Sequence, residues 1–142
     1  MIVVELKSPP KKYHHNKNKH IVYSCQYHVV FCPKYRRPVL TGKIKERLEE
    51  LILEKCKELN TEVLDMVIAP DHVHLLLDAD PTIGINKIVT QIKGYTSNKL
   101  RNEFPELRRK LPTLWTRGRF ISTVGTVTLD VIRQYIDSQK GV

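Results

Sequence analysis

The sequence predicts an α+β fold, an antiparallel sheet with helices on one of its faces. Two patterns carry this prediction: short segments in which apolar and polar residues alternate, and longer segments with apolar residues at helical spacing. They follow one another in the order strand, helix, strand, strand, helix, strand, helix. This order matches the ferredoxin-like βαββαβ arrangement with one added C-terminal helix. In that topology the two long helices cover one face of the sheet, and the other face is open.

The first predicted strand follows a polar and basic start of the chain. Residues 1–19 contain too few apolar groups to pack and are predicted to form a flexible basic arm, so the folded domain is expected to span residues 20–142. Apolar residues alternate over residues 20–32, which predicts a long strand. Residues 43–59 carry apolar side chains at helical spacing with charges between them, which predicts an amphipathic helix.

The middle of the chain predicts a hairpin followed by a second long helix. Residues 63–69 and 72–77 are two short apolar runs joined by a proline and an aspartate, which favour a tight turn. Residues 85–104 have helical spacing and end before a proline, where a helix normally stops.

The last third of the chain is predicted to complete the fold. Residues 105–114 are interpreted as a loop, and residues 114–124 as a final strand or extended segment. A terminal helix is predicted over about residues 126–139. Gly125 precedes this helix, at a position where a hinge can lie.

Two histidines stand at the start of the second hairpin strand. Alternation directs His72 and His74 to one face and Val73 to the other, and two imidazoles on one face can share a metal ion. With six histidines in the chain, such a spacing also arises by chance, so the spacing alone is weak evidence. The setting strengthens it, because a strand that buries its apolar residues has little other use for two imidazoles.

The remaining histidines and the cysteines are interpreted as structural. The two histidines of the basic arm are expected to be solvated, and His28 is expected to be a strand residue with a local partner. Cys25, Cys32 and Cys56 are odd in number and lack paired ligand spacing, which predicts reduced, packed thiols.

The charge of the chain indicates what it binds. Lys and Arg outnumber Asp and Glu by 24 to 15, for a formal net charge of +9, which favours a nucleic acid as partner. A basic surface that only maintains solubility is the alternative. No apolar stretch approaches the length of a membrane span and the N-terminus lacks the order of a signal peptide, so we expect a cytoplasmic protein without a membrane partner.

Four segments, taken together and in this order, are similar to one protein family. They are the five residues Tyr27, His28, Val29, Val30 and Phe31 with residues 33–37, the histidine pair with Leu75, Leu76 and Leu77, residues 115–125, and residues 135–139. In this combination the chain resembles the single-tyrosine HUH transposases of small bacterial and archaeal insertion sequences, the IS200-like family. The resemblance spans residues 20–140, and the basic arm departs from it.

The resemblance implies a DNA strand transferase that acts on single strands. Tyr135, on the added helix, would be the nucleophile and would form a 5′-phosphotyrosine link, which conserves bond energy so that no nucleotide cofactor is needed. His72, His74 and Gln139 would hold a divalent metal ion, Mg²⁺ or Mn²⁺. The implied partners are single-stranded or hairpin DNA and a second copy of the chain, in a homodimer whose active sites can be shared. The implied location is the prokaryotic cytoplasm, at the nucleoid when bound to DNA.

Helical geometry is compatible with these roles. Tyr135 and Gln139 are four residues apart, so one helix face can present both side chains. Without the resemblance Tyr135 has a simpler interpretation, because it falls in the apolar arc of its helix between Val131 and Ile132, where a tyrosine is usually a core residue.

Cations and exposed rings are candidates for DNA contact, because phosphates attract cations and bases stack on aromatic rings. Trp115 is a further candidate ring. The basic face of the second long helix is equally well explained as solvated surface. The candidate DNA-binding residues are Lys34, Tyr35, Arg36, Arg37, Lys93, Lys99, Arg117 and Arg119.

Two other functions stay open at this point. One is a ferredoxin-like nucleic-acid-binding protein without catalysis, in which the histidines are structural. The other is a related HUH nicking enzyme that acts on repeat hairpins without transposing DNA.

Overall fold

The structure is a computed structural model that describes residues 21–125 and 128–142, together with the backbone of His14 and His15. The strands are β1 (His14–His15), β2 (Val22–Tyr23), β3 (Gln26–Phe31), β4 (Glu62–Ala69), β5 (His72–Asp78) and β6 (Phe120–Thr123). The helices are α1 (Gly42–Glu58), α2 (Ile85–Glu103), α3 (Pro105–Lys110) and α4 (Leu129–Ser138). A short 3₁₀ turn, Lys34–Arg36, follows β3.

Four strands form one antiparallel sheet in the order β4-β5-β3-β6. The first strand of this sheet and the second hairpin strand are therefore central neighbours, while β4 and β6 form the edges. β1 and β2 pair separately as a two-stranded ladder. The predicted α+β fold, with its antiparallel sheet and its added C-terminal helix, is confirmed.

The main core lies between the sheet and the two long helices. Alternation along β3 and β5 directs one set of apolar side chains toward α1 and α2, whose own apolar stripes face the sheet. Burying these stripes is the dominant favourable term in the stability of such a layer. The members that are fully buried include Val29, Phe31, Val73, Leu75, Leu77, Leu48, Leu51, Ile52, Ile88 and Ile92.

The opposite face of the sheet carries α4, so the expectation that this face is open is wrong. Val30 and Cys32 on the strand side form a second buried cluster with Ile132 and Ile136 of the helix. The reason is that α4 is amphipathic and its apolar stripe needs a surface, which the second side of β3 provides. The helix begins at an N-cap, where the hydroxyl of Thr128 accepts a hydrogen bond from the backbone of Val131 at 3.3 Å.

Several element boundaries differ from the prediction. The long strand over residues 20–32 is divided into β2 and β3, because the backbone N–H of Cys25 donates to Asp78 at 2.9 Å instead of continuing a ladder. The segment predicted as a loop, residues 105–114, contains α3, which has proline at its first position and buries Leu107. The last strand is restricted to β6.

The predicted basic arm lies outside the described residues, apart from the paired backbone of His14 and His15. The domain boundary at residue 20 therefore stays a prediction. Among the described helices, none combines the length and apolarity that crossing a membrane requires.

Candidate active site

His72 and His74 are buried at the start of β5, with exposed fractions of 0% and 2%. His74 lies directly opposite Val30 in the ladder between β3 and β5, and directly opposed residues project from the same face of a sheet. Val30 belongs to the cluster that packs against α4, so the imidazole of His74 lies on that face, and alternation places His72 there too. The two predicted ligands therefore share the sheet face that carries the tyrosine helix.

Each imidazole has one nitrogen in contact with a neighbouring side chain and one without a contact. Nδ1 of His72 is 2.8 Å from Oδ1 of Asp71, and Nε2 of His74 is 3.1 Å from Nδ1 of His28. Nε2 of His72 and Nδ1 of His74 are buried and have no hydrogen-bond partner among the described residues. A neutral His72 that donates from Nδ1 to the carboxylate keeps a lone pair on Nε2, the pattern of a histidine metal ligand held by a carboxylate.

The electrostatic surroundings keep His74 neutral. Burial, together with repulsion from the neighbouring His28 and His72, lowers the pKa of His74 to about 4, and Asp65 opposes this shift. Burial also lowers the pKa of His28. A neutral imidazole is the form that can donate a lone pair to a metal ion.

The donor atoms of the three predicted ligands are of types that bind divalent cations. In the described part of the chain, no group of three or more His, Cys, Asp or Glu side chains could hold a metal ion. The two unpartnered ring nitrogens are suited to ligation, and the carboxamide oxygen of Gln139 is a third donor of another type. Because this donor set is neutral, a bound cation would depend on anionic phosphate oxygens for much of its affinity.

Tyr135 lies on α4 and is half-buried against the sheet. Its ring centroid is 5.5 Å from that of Phe120 on β6, and its hydroxyl is buried without a hydrogen-bond partner in the ranges that the structure describes. Burial, together with the nearby Cys32, raises the pKa of Tyr135 to about 12, and Arg119 opposes this shift. In this arrangement the phenol is therefore protonated.

Gln139 follows the last residue of α4 and lies beside the phenol. The hydroxyl of Thr116 donates to Oε1 of Gln139 at 3.1 Å. A Cβ atom built on Gly118 would lie 3.3 Å from the Tyr135 hydroxyl and 3.5 Å from Oε1 of Gln139. The spacing of four residues thus brings the side chains of Tyr135 and Gln139 to the same short stretch of backbone. Gly118 in that stretch has no side chain, which leaves room for both groups.

Arg36 connects the end of α4 with the histidine site. Its Nε atom is 3.3 Å from Oδ2 of Asp71, the carboxylate that also contacts His72. Its terminal nitrogen donates to the carbonyl of Ile136 at 3.2 Å and to Asp137 at 3.4 Å. One guanidinium therefore links the neighbour of a predicted metal ligand to the helix that carries the predicted nucleophile.

Most of the cations predicted to contact DNA are accessible. Arg37, Lys99 and Arg117 are exposed, Tyr35 is 41% exposed, and Lys34 is partly exposed. Arg119 is partly exposed and donates to the hydroxyl of a threonine on α2 at 2.6 Å. Arg36 is engaged in the contacts described above.

Two candidates for DNA contact are buried in this arrangement, and for them DNA contact stays a prediction. Lys93 is only 7% exposed, because its ammonium turns inward to backbone carbonyls. Trp115 is 6% exposed, since its ring packs edge-on against Phe31 and its N–H donates to Thr96 at 3.0 Å.

Sequence reasoning missed the residues that support the site. The sequence indicates only that Asp71 favours a turn. No pattern in the sequence predicts its contacts with His72 and Arg36. Thr116 and Gly118 stand in a segment without periodicity, so only the folded chain reveals their contacts with α4. The expectation that His28 has a local partner is confirmed by its contact with His74.

Comparison with known proteins decides the family. A family model described as "Transposase IS200 like" matches residues 21–139. The chain belongs to the IS200-like transposase family. Among its relatives, the ISDra2 transposase TnpA of Deinococcus radiodurans is 36% identical over 125 residues, which cover 87% of this chain and 89% of the relative. The transposase for insertion sequence element IS200 of Salmonella typhimurium is 32% identical over 122 residues, which cover 84% and 80%.

Solved structures agree with this family assignment. A crystal structure described as that of a transposase from Deinococcus radiodurans R1 superposes with a TM-score of 0.80 at 30% identity, covering 89% of this chain and 99% of the other. A REP-associated tyrosine transposase bound to a REP hairpin has a TM-score of 0.54 at 13% identity, covering 93% and 69%. The second similarity concerns the fold alone.

Proposed function

We propose that this IS200-like family member cleaves and rejoins single-stranded DNA, with Tyr135 as the nucleophile and His72, His74 and Gln139 as the ligands of a divalent metal ion. The observation that carries the proposal is the pair of buried imidazole nitrogens without partners, on the sheet face against which the tyrosine helix packs. The names of its relatives, which are transposases of insertion sequences, support the same reaction class.

The cleavage step exchanges one phosphate ester for another. The phenolate oxygen of Tyr135 forms a bond to phosphorus, the bond from phosphorus to the 3′ oxygen breaks, and that oxygen takes up a proton as the tyrosine loses one. The product is a 5′-phosphotyrosine and a free 3′-hydroxyl. Rejoining is the reverse attack by a 3′-hydroxyl, which releases the tyrosine. A divalent cation supplies charge neutralisation at the phosphate when bound.

The residues around the site prepare these roles. Asp71 orients the imidazole of His72 through Nδ1, and the hydroxyl of Thr116 orients the amide of Gln139. Tyr135 is protonated and buried in the arrangement described here, so α4 has to shift before the phenol meets a phosphate. Gly125, with a φ of 92°, precedes that helix and provides a backbone conformation that favours glycine.

The proposed substrate is single-stranded DNA that folds into hairpins, and the proposed assembly is a homodimer. The net charge of +9 and the exposed cations Arg37 and Arg117 support a polyanionic partner. A dimer is suited to a reaction that holds two DNA ends, and a helix attached through Gly125 can serve either copy. Such a protein works in the cytoplasm, on the DNA of the nucleoid.

The deciding experiment is a search for a covalent protein–DNA adduct. We expect labelled single-stranded hairpin DNA, incubated with the protein and Mg²⁺ or Mn²⁺, to yield a band that survives denaturation and disappears on proteolysis. Tyr135→Phe should abolish the adduct, whereas Tyr95→Phe, which changes an exposed hydroxyl on α2 bonded to Glu54, should not. His72→Ala should abolish it while DNA binding persists.

Other outcomes identify the alternatives. DNA retention without any adduct under these conditions would mean a binding protein without catalysis. An adduct that survives in Tyr135→Phe would move the nucleophile to another tyrosine. Cleavage of repeat hairpins without subsequent rejoining of the strand would indicate a nicking enzyme.

A further inference from the structure

Lys93 is a buried lysine with an unusual set of partners. It lies on α2, and its Nζ atom donates to the carbonyls of Thr116 at 2.7 Å, Gly118 at 2.9 Å and Arg117 at 3.4 Å. A buried ammonium has three hydrogens and must find acceptors for them, and three successive backbone carbonyls meet this need. The carbonyls of residues 116–118 therefore all point to the ammonium of Lys93. We call residues 116–118 the seat segment.

The other side of the seat segment faces the reactive end of α4. The hydroxyl of Thr116 donates to Oε1 of Gln139 at 3.1 Å. At Gly118 an added Cβ would be 3.3 Å from the hydroxyl of Tyr135, a separation tighter than most real contacts of that atom. A displacement of this backbone would therefore change the hydrogen bond to Gln139 and the space beside the phenol of Tyr135.

Few other contacts hold the seat segment in place. The backbone N–H of Thr116 donates to the carbonyl of Cys32 at 3.0 Å, and the indole N–H of Trp115 donates to Thr96 at 3.0 Å. The first contact lies at the start of the segment, and the second lies on the residue just before it. Of the contacts described here, Lys93 alone reaches the carbonyl of Gly118, the residue whose missing Cβ leaves space beside the phenol.

We propose that Lys93 is a positioning residue for the strand-transfer reaction: its ammonium fixes the seat segment, and the seat segment sets the positions of Tyr135 and Gln139. This inference rests on the proposed function for the roles of those two residues. The sequence analysis placed Lys93 among the candidate DNA contacts. In the role inferred here, Lys93 touches neither DNA nor metal.

The test separates DNA binding from chemistry. Lys93→Met keeps the length of the side chain and removes its charge and donors. With hairpin DNA already bound, we expect the single-turnover rate of adduct formation to fall by about 10- to 100-fold, the range typical of lost support behind a metal ligand. The dissociation constant for the DNA should change by less than about threefold, because the ammonium is not on the surface. Lys87→Met, which removes an exposed lysine from the same helix, is the matched control.

A second readout is independent of catalysis. Trp115 is the only tryptophan in the chain and adjoins the seat segment. In Lys93→Met its emission should shift to the red and become more accessible to a quencher, while Lys87→Met keeps the wild-type spectrum. If Lys93→Met fails to fold, Lys93→Gln replaces it in the test. Glutamine keeps N–H donors without a buried charge, so the rate of adduct formation should be below that of the wild type but reduced by less than the 10- to 100-fold expected for Lys93→Met.

Two results would overturn the inference. One is a wild-type rate and a wild-type Trp115 spectrum in a folded Lys93 variant. The other is a loss of DNA affinity that matches the loss of rate, which would make Lys93 a DNA contact. Failure of the proposed function looks different, because then the wild-type protein forms no adduct, and the Trp115 spectra still decide whether Lys93 holds the seat segment.

Discussion

Burial favours one protonation state for each of two side chains in the candidate site, His74 and Tyr135. The carboxylate of Asp71 accepts from His72, burial keeps His74 neutral, and burial keeps Tyr135 protonated. For the proposed reaction, His74 is thus in the form that can bind a metal ion, whereas Tyr135 is not in the phenolate form that a nucleophile needs.

The neutral state of His74 makes the stability of the metal-free protein depend on pH. The folded-state pKa of about 4 lies below the unfolded value of about 6.5, so the unfolded state binds more protons between them and stability falls as the pH falls through this window. The loss should approach roughly 3 kcal/mol below pH 4, and His28 should add to it in the same direction.

Urea unfolding midpoints at pH 7.5 and pH 4.5 measure this effect. His74→Leu removes the titrating group, so the difference between its two midpoints should be smaller than in the wild-type protein. An equal difference in both proteins would show that other groups control the acid sensitivity.

The attachment of α4 matters for the proposed function, because this helix carries Tyr135. It packs through Ile132 and Ile136 onto Val30 and Cys32, and Arg36 ties its last turn to the turn before β5. This cluster is much smaller than the main core, so α4 should open at a lower free energy than the sheet. Local opening of α4 is the motion that would expose Tyr135.

We expect Ile136→Ala to loosen α4 while the sheet stays folded. Ile136 is fully buried, and removing its methyl groups should cost about 2–5 kcal/mol, expressed as local opening. Hydrogen exchange should accelerate in the amides of α4 and remain slow in β5. Val131→Ala, at a position of the same helix that is 41% exposed, should leave both unchanged. Faster exchange throughout the sheet would mean that α4 and the sheet unfold as one unit.

Elements differed in how well local sequence predicted them. α1, α2 and the β4–β5 hairpin were predicted within a residue or two, because each has strong periodicity of its own. α3 was missed because six residues with one buried leucine show no periodic pattern. The break between β2 and β3 depends on Asp78, which is distant in sequence from Cys25.

The whole molecule combines a basic surface with a site on one side of the sheet. The exposed cations Arg37 and Arg117 belong to the segments that follow β3 and precede β6, and the adjacent backbones of these segments are joined by the bridge between Pro33 and Trp115. A DNA strand held there would approach the sheet near the seat segment. Attraction between many phosphates and a net charge of +9 should make the binding strongly dependent on salt.

Replacing Arg37 and Arg117 together by alanine should flatten this salt dependence. A plot of log K against log salt has a negative slope, and each lost phosphate contact reduces its steepness by about 0.7–0.9. Loss of both arginines should therefore reduce the steepness by roughly 1.5. Arg47→Ala is the matched control, because Arg47 is on α1 and already paired with Glu50 and Glu103. An unchanged slope in the double variant would remove both residues from the DNA-binding surface.

Periodicity, turn chemistry and composition were enough to establish the fold class, the shared face of His72 and His74, and the basic character of the chain. These properties are local, since each depends on residues close in sequence. The tertiary structure alone decided which face α4 covers, the burial and protonation of Tyr135, and the inward course of Lys93 to the seat segment. Those outcomes depend on contacts between distant segments, where burial and the need to satisfy hydrogen bonds act on groups that no local pattern connects.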